Sequence, residues 1–119
     1  MNKQEVFNRV VVHLLKQGKQ AILPDSTAPV LMCAYRGKDG LKCAVGCLIP
    51  DEEYMPSFEG CSLERVRSLS RTLQSMNGKL LKHLQYVHDS VKPGYWYEEL
   101  KEAAECFQLT MPTVREKGE

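Results

Sequence analysis

Cysteine, histidine and aspartate are the residues of this chain most able to do chemistry. Cys43 and Cys47 stand four positions apart, so a helix would place both thiols on one face, where Cys33, Cys61 or His88 could complete a zinc set. Structural zinc motifs usually pair cysteines in two matched knuckles at about two- to four-residue spacing, and one such pair occurs here. Packing as small buried hydrophobes is the plainer reading, and no metal or other cofactor is expected. Cys43, following Gly40-Leu41-Lys42 at the head of a short helix, could instead be a nucleophile aided by His88 and Asp89. No thiol-hydrolase signature surrounds it, and His88 lies on a helical face between Leu84 and Val91, where packing or capping accounts for it. His88-Asp89 also spells the dyad of metal-dependent phosphohydrolases. That chemistry needs further His and Asp ligands, and His13 and His83 are the remaining histidines. No catalytic residue is assigned, and the chain is not expected to be an enzyme.

Two charged stretches could instead recognise a partner. Asp51 to Gly60 carries four carboxylates (Asp51, Glu52, Glu53, Glu59), with Tyr54, Phe58 and the constraint of Pro50 and Pro56. It lacks the glycine-centred spacing of a calcium loop and reads as an acidic surface loop. Asp51, Glu52, Glu53, Tyr54, Phe58 and Glu59 are the expected partner-binding residues, although the two rings would serve equally as pins to the core. From Glu64 to Lys92 six bases (Arg65, Arg67, Arg71, Lys79, Lys82, Lys92) outnumber Glu64 and Asp89, a local excess of +4. Arg65, Arg67 and Arg71 make a candidate nucleic-acid patch. A solvated helix face offset by Glu98, Glu99, Glu102 and Glu105 explains the charge as well. No recognition-helix or aromatic RNA-binding motif accompanies it, so a nucleic-acid partner is not favoured.

These residues must be held by the elements the sequence encodes. Phe7, Val10, Val11, Leu14 and Leu15 follow helical spacing up to Gly18, which predicts a helix over about Lys3 to Gln17 with a glycine cap. Pro24-Asp25-Ser26-Thr27 and Pro29 mark a surface loop. Val30 to Arg36, then Gly37-Lys38-Asp39-Gly40 and a return from Leu41, reads as a β-hairpin, because Asp-Gly readily supplies the turn. Residues 43–49 fit either a buried strand or a buried helical turn; their small side chains and Pro50 favour a short helix. Ser62 caps a predicted helix with Leu63, Val66, Leu69 and Leu73 on one face, broken at Asn77-Gly78. A second stripe of Leu80, Leu81, Leu84, Val87 and His88 closes at Lys92-Pro93-Gly94. The last helix runs from about Tyr95 to Gln108 with Trp96, Leu100, Ala103 and Phe107 together. The expected fold class is α+β: one mostly helical domain over residues 1–109, about four helices on a small antiparallel hairpin, with a flexible tail over 110–119.

Composition bounds the rest. The chain of 119 residues is 43% hydrophobic and 26% charged, within the range of globular domains and far from the composition of disordered chains. A net charge of +1 provides no whole-molecule field to attract nucleic acid or an anionic membrane. Apolar runs of a few residues are shorter than the ~20 of a membrane span and the ~7 of a signal-peptide core, so no membrane association is expected. Five cysteines without an export signal fit a reducing, cytoplasmic location.

Cys33-Ala34-Tyr35-Arg36-Gly37, Gly40-Leu41-Lys42-Cys43-Ala44-Val45-Gly46-Cys47-Leu48-Ile49-Pro50-Asp51-Glu52, Tyr54 and Glu59-Gly60 together resemble a group of small proteins of tailed bacteriophages, prophages and some bacterial genomes. Leu84-Gln85, His88-Asp89 and Trp96 extend the likeness, which covers roughly residues 3–108. The resemblance carries no established activity and no catalytic residues; it implies a phage or mobile-element origin. The expected role is that of an accessory protein binding a host or phage protein, either modulating a host system or being sensed by a defence factor such as a toxin–antitoxin module. A nucleic-acid-binding accessory protein is the alternative, and a small thiol- or metal-dependent enzyme a more remote one.

Overall fold

The first helix, α1 (Lys3–Gln17), starts in a capping box: the Asn2 side chain accepts from Glu5 N, and Glu5 returns a bond to Asn2 N. It ends at Gly18, whose φ of 66° is a conformation glycine adopts without penalty. The computed structural model describes residues 1–24 and 33–113. Within them follow α2 (Leu63–Leu69), α3 (Arg71–Gln74), α4 (Gly78–Ser90) and α5 (Trp96–Cys106), with single 3-10 turns at Lys38–Gly40, Gly46–Leu48, Pro56–Phe58 and Pro93–Tyr95. α4 and α5 pack on one another and both pack on α1. Phe7, Val10, Val11 and Leu14 meet Leu80, Leu81, Leu84 and Val87 and the Trp96, Leu100 and Ala103 face of α5 in one core. No described helix is long and apolar enough to cross a membrane.

The expected hairpin is absent, and the fold is helical, not α+β. Among the described residues there is no strand, only the isolated antiparallel bridges Ile22↔Cys33 and Arg36↔Lys42; Val30, Leu31 and Met32 of the expected first strand, like most of the Pro24 to Pro29 loop, lie outside the described residues. The reversal itself exists, with Asp39 and Gly40 at φ 62° and 74° and Gly37 N donating to Leu41 O. A ladder does not grow from it because side chains occupy the backbone groups that would pair. Glu59 accepts from the N–H groups of Tyr35 and Arg36, while Gln17 accepts from Lys42 N and donates to Lys42 O. His13 Nε2 adds a second bond to that carbonyl. The chain then turns into the one-turn helix Gly46–Leu48, the helical alternative for residues 43–49, and buries Cys43, Ala44 and Val45. Gly46 is required there, since a Cβ at this position would lie 1.9 Å from Tyr35 O.

Two boundaries also differ. The helix opened by Ser62 stops at Ser70, not at Asn77. Ser70 has φ −108° and ψ 112°, and its hydroxyl caps α3 through Leu73 N while donating to Glu53. Leu69 therefore turns out to solvent while Val66 and Leu73 stay buried. Asn77 is instead the N-cap of α4, accepting from Leu80 N. After α5, Gln4 holds both Thr110 N and Thr110 O, and Leu109 and Met111 pack against the core. Residues 114–119 lie outside the described residues.

The close approach at Gly46 yields a direct test. Gly46→Ala is expected to destabilise the fold by at least the ~1–3 kcal/mol of an overpacked core, because the new methyl meets backbone that cannot swing aside. Gly94→Ala, with open space around it, is expected to change stability by no more than about 0.5 kcal/mol. Urea denaturation of the two variants measures both.

Candidate functional site

Of the residues singled out for chemistry, Cys33, His88 and Asp89 converge at the C-terminal turns of α4, and Cys43, Cys47 and Cys61 do not join them. His88 continues the buried stripe set by Leu84 and Val87, so its ring points inward, is fully buried and stacks on Trp96 with centroids 5.7 Å apart. Asp89 falls on the next, solvent-facing position, its side chain 37% exposed. Gln85, one turn earlier, reaches Asp89 with its amide N–H and accepts from Val45 N with its oxygen. Cys33 enters from the loop opposite and hydrogen-bonds to Asp89. The Cys33 thiol, the Asp89 carboxylate and a His88 ring nitrogen all lie within 4.8 Å of one another, a spacing a metal ion would accept.

The hydrogen bonds of His88 decide what the cluster can do. Ala21 N lies 2.9 Å from Nε2, and a backbone amide can only donate, so Nε2 is the acceptor and the ring proton sits on Nδ1. That proton points at Asp89 Oδ1, 2.6 Å away. A metal at this cluster would have to take the nitrogen that holds the proton, whose removal leaves an imidazolate while Nε2 still receives the amide. General-base work fails for the same reason: the lone pair of the ring is engaged by Ala21, not directed at a substrate. Gln20 completes the arrangement by donating to the carbonyls of His88 and Asp89, which the end of α4 leaves without helical partners. The cluster fastens the chain at Gln20-Ala21 and Cys33 to the end of α4.

The thiols point the same way. Burial, followed by Asp89, pushes the Cys33 thiol up to about 11, and burial pushes Cys43 and Cys47 up to about 12. Each shift lowers the thiolate fraction at neutral pH, opposite to what a nucleophile needs. Cys43 is fully buried and its Sγ accepts from Gly46 N, while Cys47 donates to Ala44 O.

The acidic stretch is built from alternating roles. Phe58 is fully buried, with Tyr54 edge-on to its ring at 5.8 Å. Glu53 accepts from Ser70 Oγ, Thr72 N and Thr72 Oγ1, and these bonds hold its carboxyl below the usual range. Glu59 accepts from Tyr54 OH at 2.5 Å besides the two backbone groups already described. Four of the expected partner-binding residues thus face inward: Phe58 wholly, and Glu53, Tyr54 and Glu59 in part. Asp51 and Glu52 are exposed. Asp51 reaches Arg36 at 2.8 Å, and the Arg36 guanidinium lies 4.3 Å above the Tyr54 ring and donates to Ile49 O. Of the candidate nucleic-acid residues, Arg65 and Arg71 are exposed, whereas Arg67 is half-buried and bonded to backbone carbonyls.

Sequence reasoning missed the neutral amides. Gln17, Gln20 and Gln85 hold much of the irregular backbone. An amide carries no charge or periodicity that would mark this role. Searches against protein-family models, curated proteins and solved structures return no match.

The tautomer of His88 can be measured. Nitrogen-15 NMR of the imidazole is expected to show Nδ1 protonated and Nε2 unprotonated, and a slight excess of zinc should leave the Tm unchanged. A zinc-induced rise in Tm that Cys33→Ser abolishes would instead identify a metal site. Alkylation mapped by mass spectrometry should label exposed Cys106 first and Cys33 slowly, with Asp89→Asn accelerating Cys33 by removing a negative neighbour.

Proposed function

We propose that this chain is a small, non-enzymatic binding protein that engages another protein through the arch spanning 51–57. The observation carrying this reading is the preorganisation of that arch. Glu53, Tyr54, Phe58 and Glu59 act as inward anchors, and the residues between and before them, Asp51, Glu52, Met55, Pro56 and Ser57, are exposed. Met55 presents an apolar side chain, 44% exposed, at the crest. A loop held in this way loses little further conformational freedom on binding, so contacts at its crest translate into affinity. An apolar crest flanked by Asp51 and Glu52 suits a partner surface that pairs an apolar pocket with Lys or Arg.

The engaged state of the Cys33, His88 and Asp89 groups supports a binding role over a catalytic one. The likeness of residues 3–108 to small phage and prophage proteins makes a host component the partner of choice, with a defence factor such as a toxin–antitoxin module among the targets to test. This reading narrows the interface anticipated from sequence: Asp51 and Glu52 remain, Met55 joins them, and the anchors act by holding them.

Affinity capture from phage-infected bacterial cells, read by mass spectrometry, is expected to recover a specific protein with the wild-type chain. Glu52→Lys and Met55→Ala should lose it while shifting stability by no more than about 0.5 kcal/mol. Phe58→Ala should instead cost about 3–5 kcal/mol as a core truncation. Recovery of the same protein in undiminished yield with both surface variants would place the interface elsewhere.

A further inference from the structure

A cleft of about 270 Å³ opens between α2 and the start of α4, lined by Leu63, Glu64, Arg67, Gly78, Lys79 and Lys82. Arg67 is set into its wall. Its Nε and Nη2 donate to the carbonyls of Leu73 and Met76 at 3.4 and 2.9 Å, which fixes the guanidinium plane, while no acceptor among the described residues meets Nη1. The residue at 78 makes room for that free edge, since a Cβ there would lie 2.6 Å from Nη1. Lys79 and Lys82 extend from α4 into the same lining, and among the described residues neither of them nor Arg67 has a carboxylate within 4.0 Å. The remaining arginine with a partner of this kind, Arg36, is paired with Asp51. Three bases against Glu64 leave the cleft with a formal charge of +2.

We propose that this cleft binds a phosphate monoester, with Arg67 as the fixed donor and Lys79 and Lys82 closing on the remaining oxygens. The charge of the cleft matches the roughly −1.5 to −2 of a phosphate monoester near pH 7, and three donors approaching from two helices suit a tetrahedral group better than a planar carboxylate. Its volume lies just below the ~300 Å³ at which drug-sized sites begin, room for a phosphate and a small body beside Leu63. A backbone phosphodiester carries one charge per phosphate and matches the cleft less well, so terminal phosphates are its ligands and nucleic-acid backbone is not. The cleft shares no lining residue with the arch, and the two bind different ligands, so each is tested by its own titration.

Isothermal titration of the full chain with inorganic phosphate at constant ionic strength is expected to show one saturable site per chain. Binding should weaken as the pH is lowered from neutral and the inorganic phosphate dianion takes up a proton. Lys82→Gln, an exposed change, should reduce affinity at least fivefold with the Tm unaltered, and Gly78→Ala should reduce it by displacing the Arg67 edge. In a second titration, an oligonucleotide with a 5′-phosphate should bind and its 5′-hydroxyl counterpart should not. Absence of saturable phosphate binding, equal binding of the two oligonucleotides, or an affinity unchanged by Lys79→Gln combined with Lys82→Gln would each overturn the assignment.

Discussion

The structure depends on satisfying the backbone of a partly buried segment that has no α-helix or strand, only single 3-10 turns. Between Cys33 and Gly60 the chain passes beneath α1 and α4 with no ladder to pair its N–H and C=O groups, and a buried group left unpaired costs about 1–3 kcal/mol. Side chains supply the partners. Gln17 and His13 hold the Lys42 peptide, Glu59 holds the Tyr35 and Arg36 amides, Gln85 holds the Val45 amide, and His88 holds Ala21 just upstream. Each bond ties a loop to a helix or to another loop, so the helices and the irregular segment fix one another's positions.

This arrangement also governs the chemistry. The groups that look reactive in a linear reading are occupied: the lone pair of His88 by an amide, its proton by Asp89, the Cys33 thiol by the same carboxylate, and Glu53 and Glu59 by hydroxyls and backbone N–H groups. What remains for a partner is the surface that this network holds in place. The exposed crest of the acidic arch and the cations of the cleft, which have no carboxylate partner among the described residues, are such features. They share a support, because Glu53 braces Ser70 and Thr72 while Arg67 braces the carbonyls at the end of α3.

The helices were legible because their information is local. Spacing alone identified the buried faces of α1, α4 and α5, and the capping chemistry of Gly18 and Ser62 follows from residue type within one turn of chain. The break at Ser70 was hidden, since a serine within a helical pattern does not announce that a carboxylate 17 residues upstream will grip its hydroxyl. The hairpin was misread for a related reason. Its turn is encoded locally and formed, but whether strands extend from it depends on what else competes for the flanking backbone.

By itself the sequence determined the helical faces and the chain reversal at Asp39-Gly40, both settled by contacts or dihedral preferences within a few residues. Only the tertiary structure decided that Gln17, Glu59 and Gln85 would replace a β-ladder and that the ring proton of His88 would face Asp89. It also decided that Arg67 would lie fixed beside Gly78 with one edge free. Those outcomes join residues far apart in the chain, and a side chain that can donate or accept has no preferred partner until the packing of the helices brings one within about 3 Å.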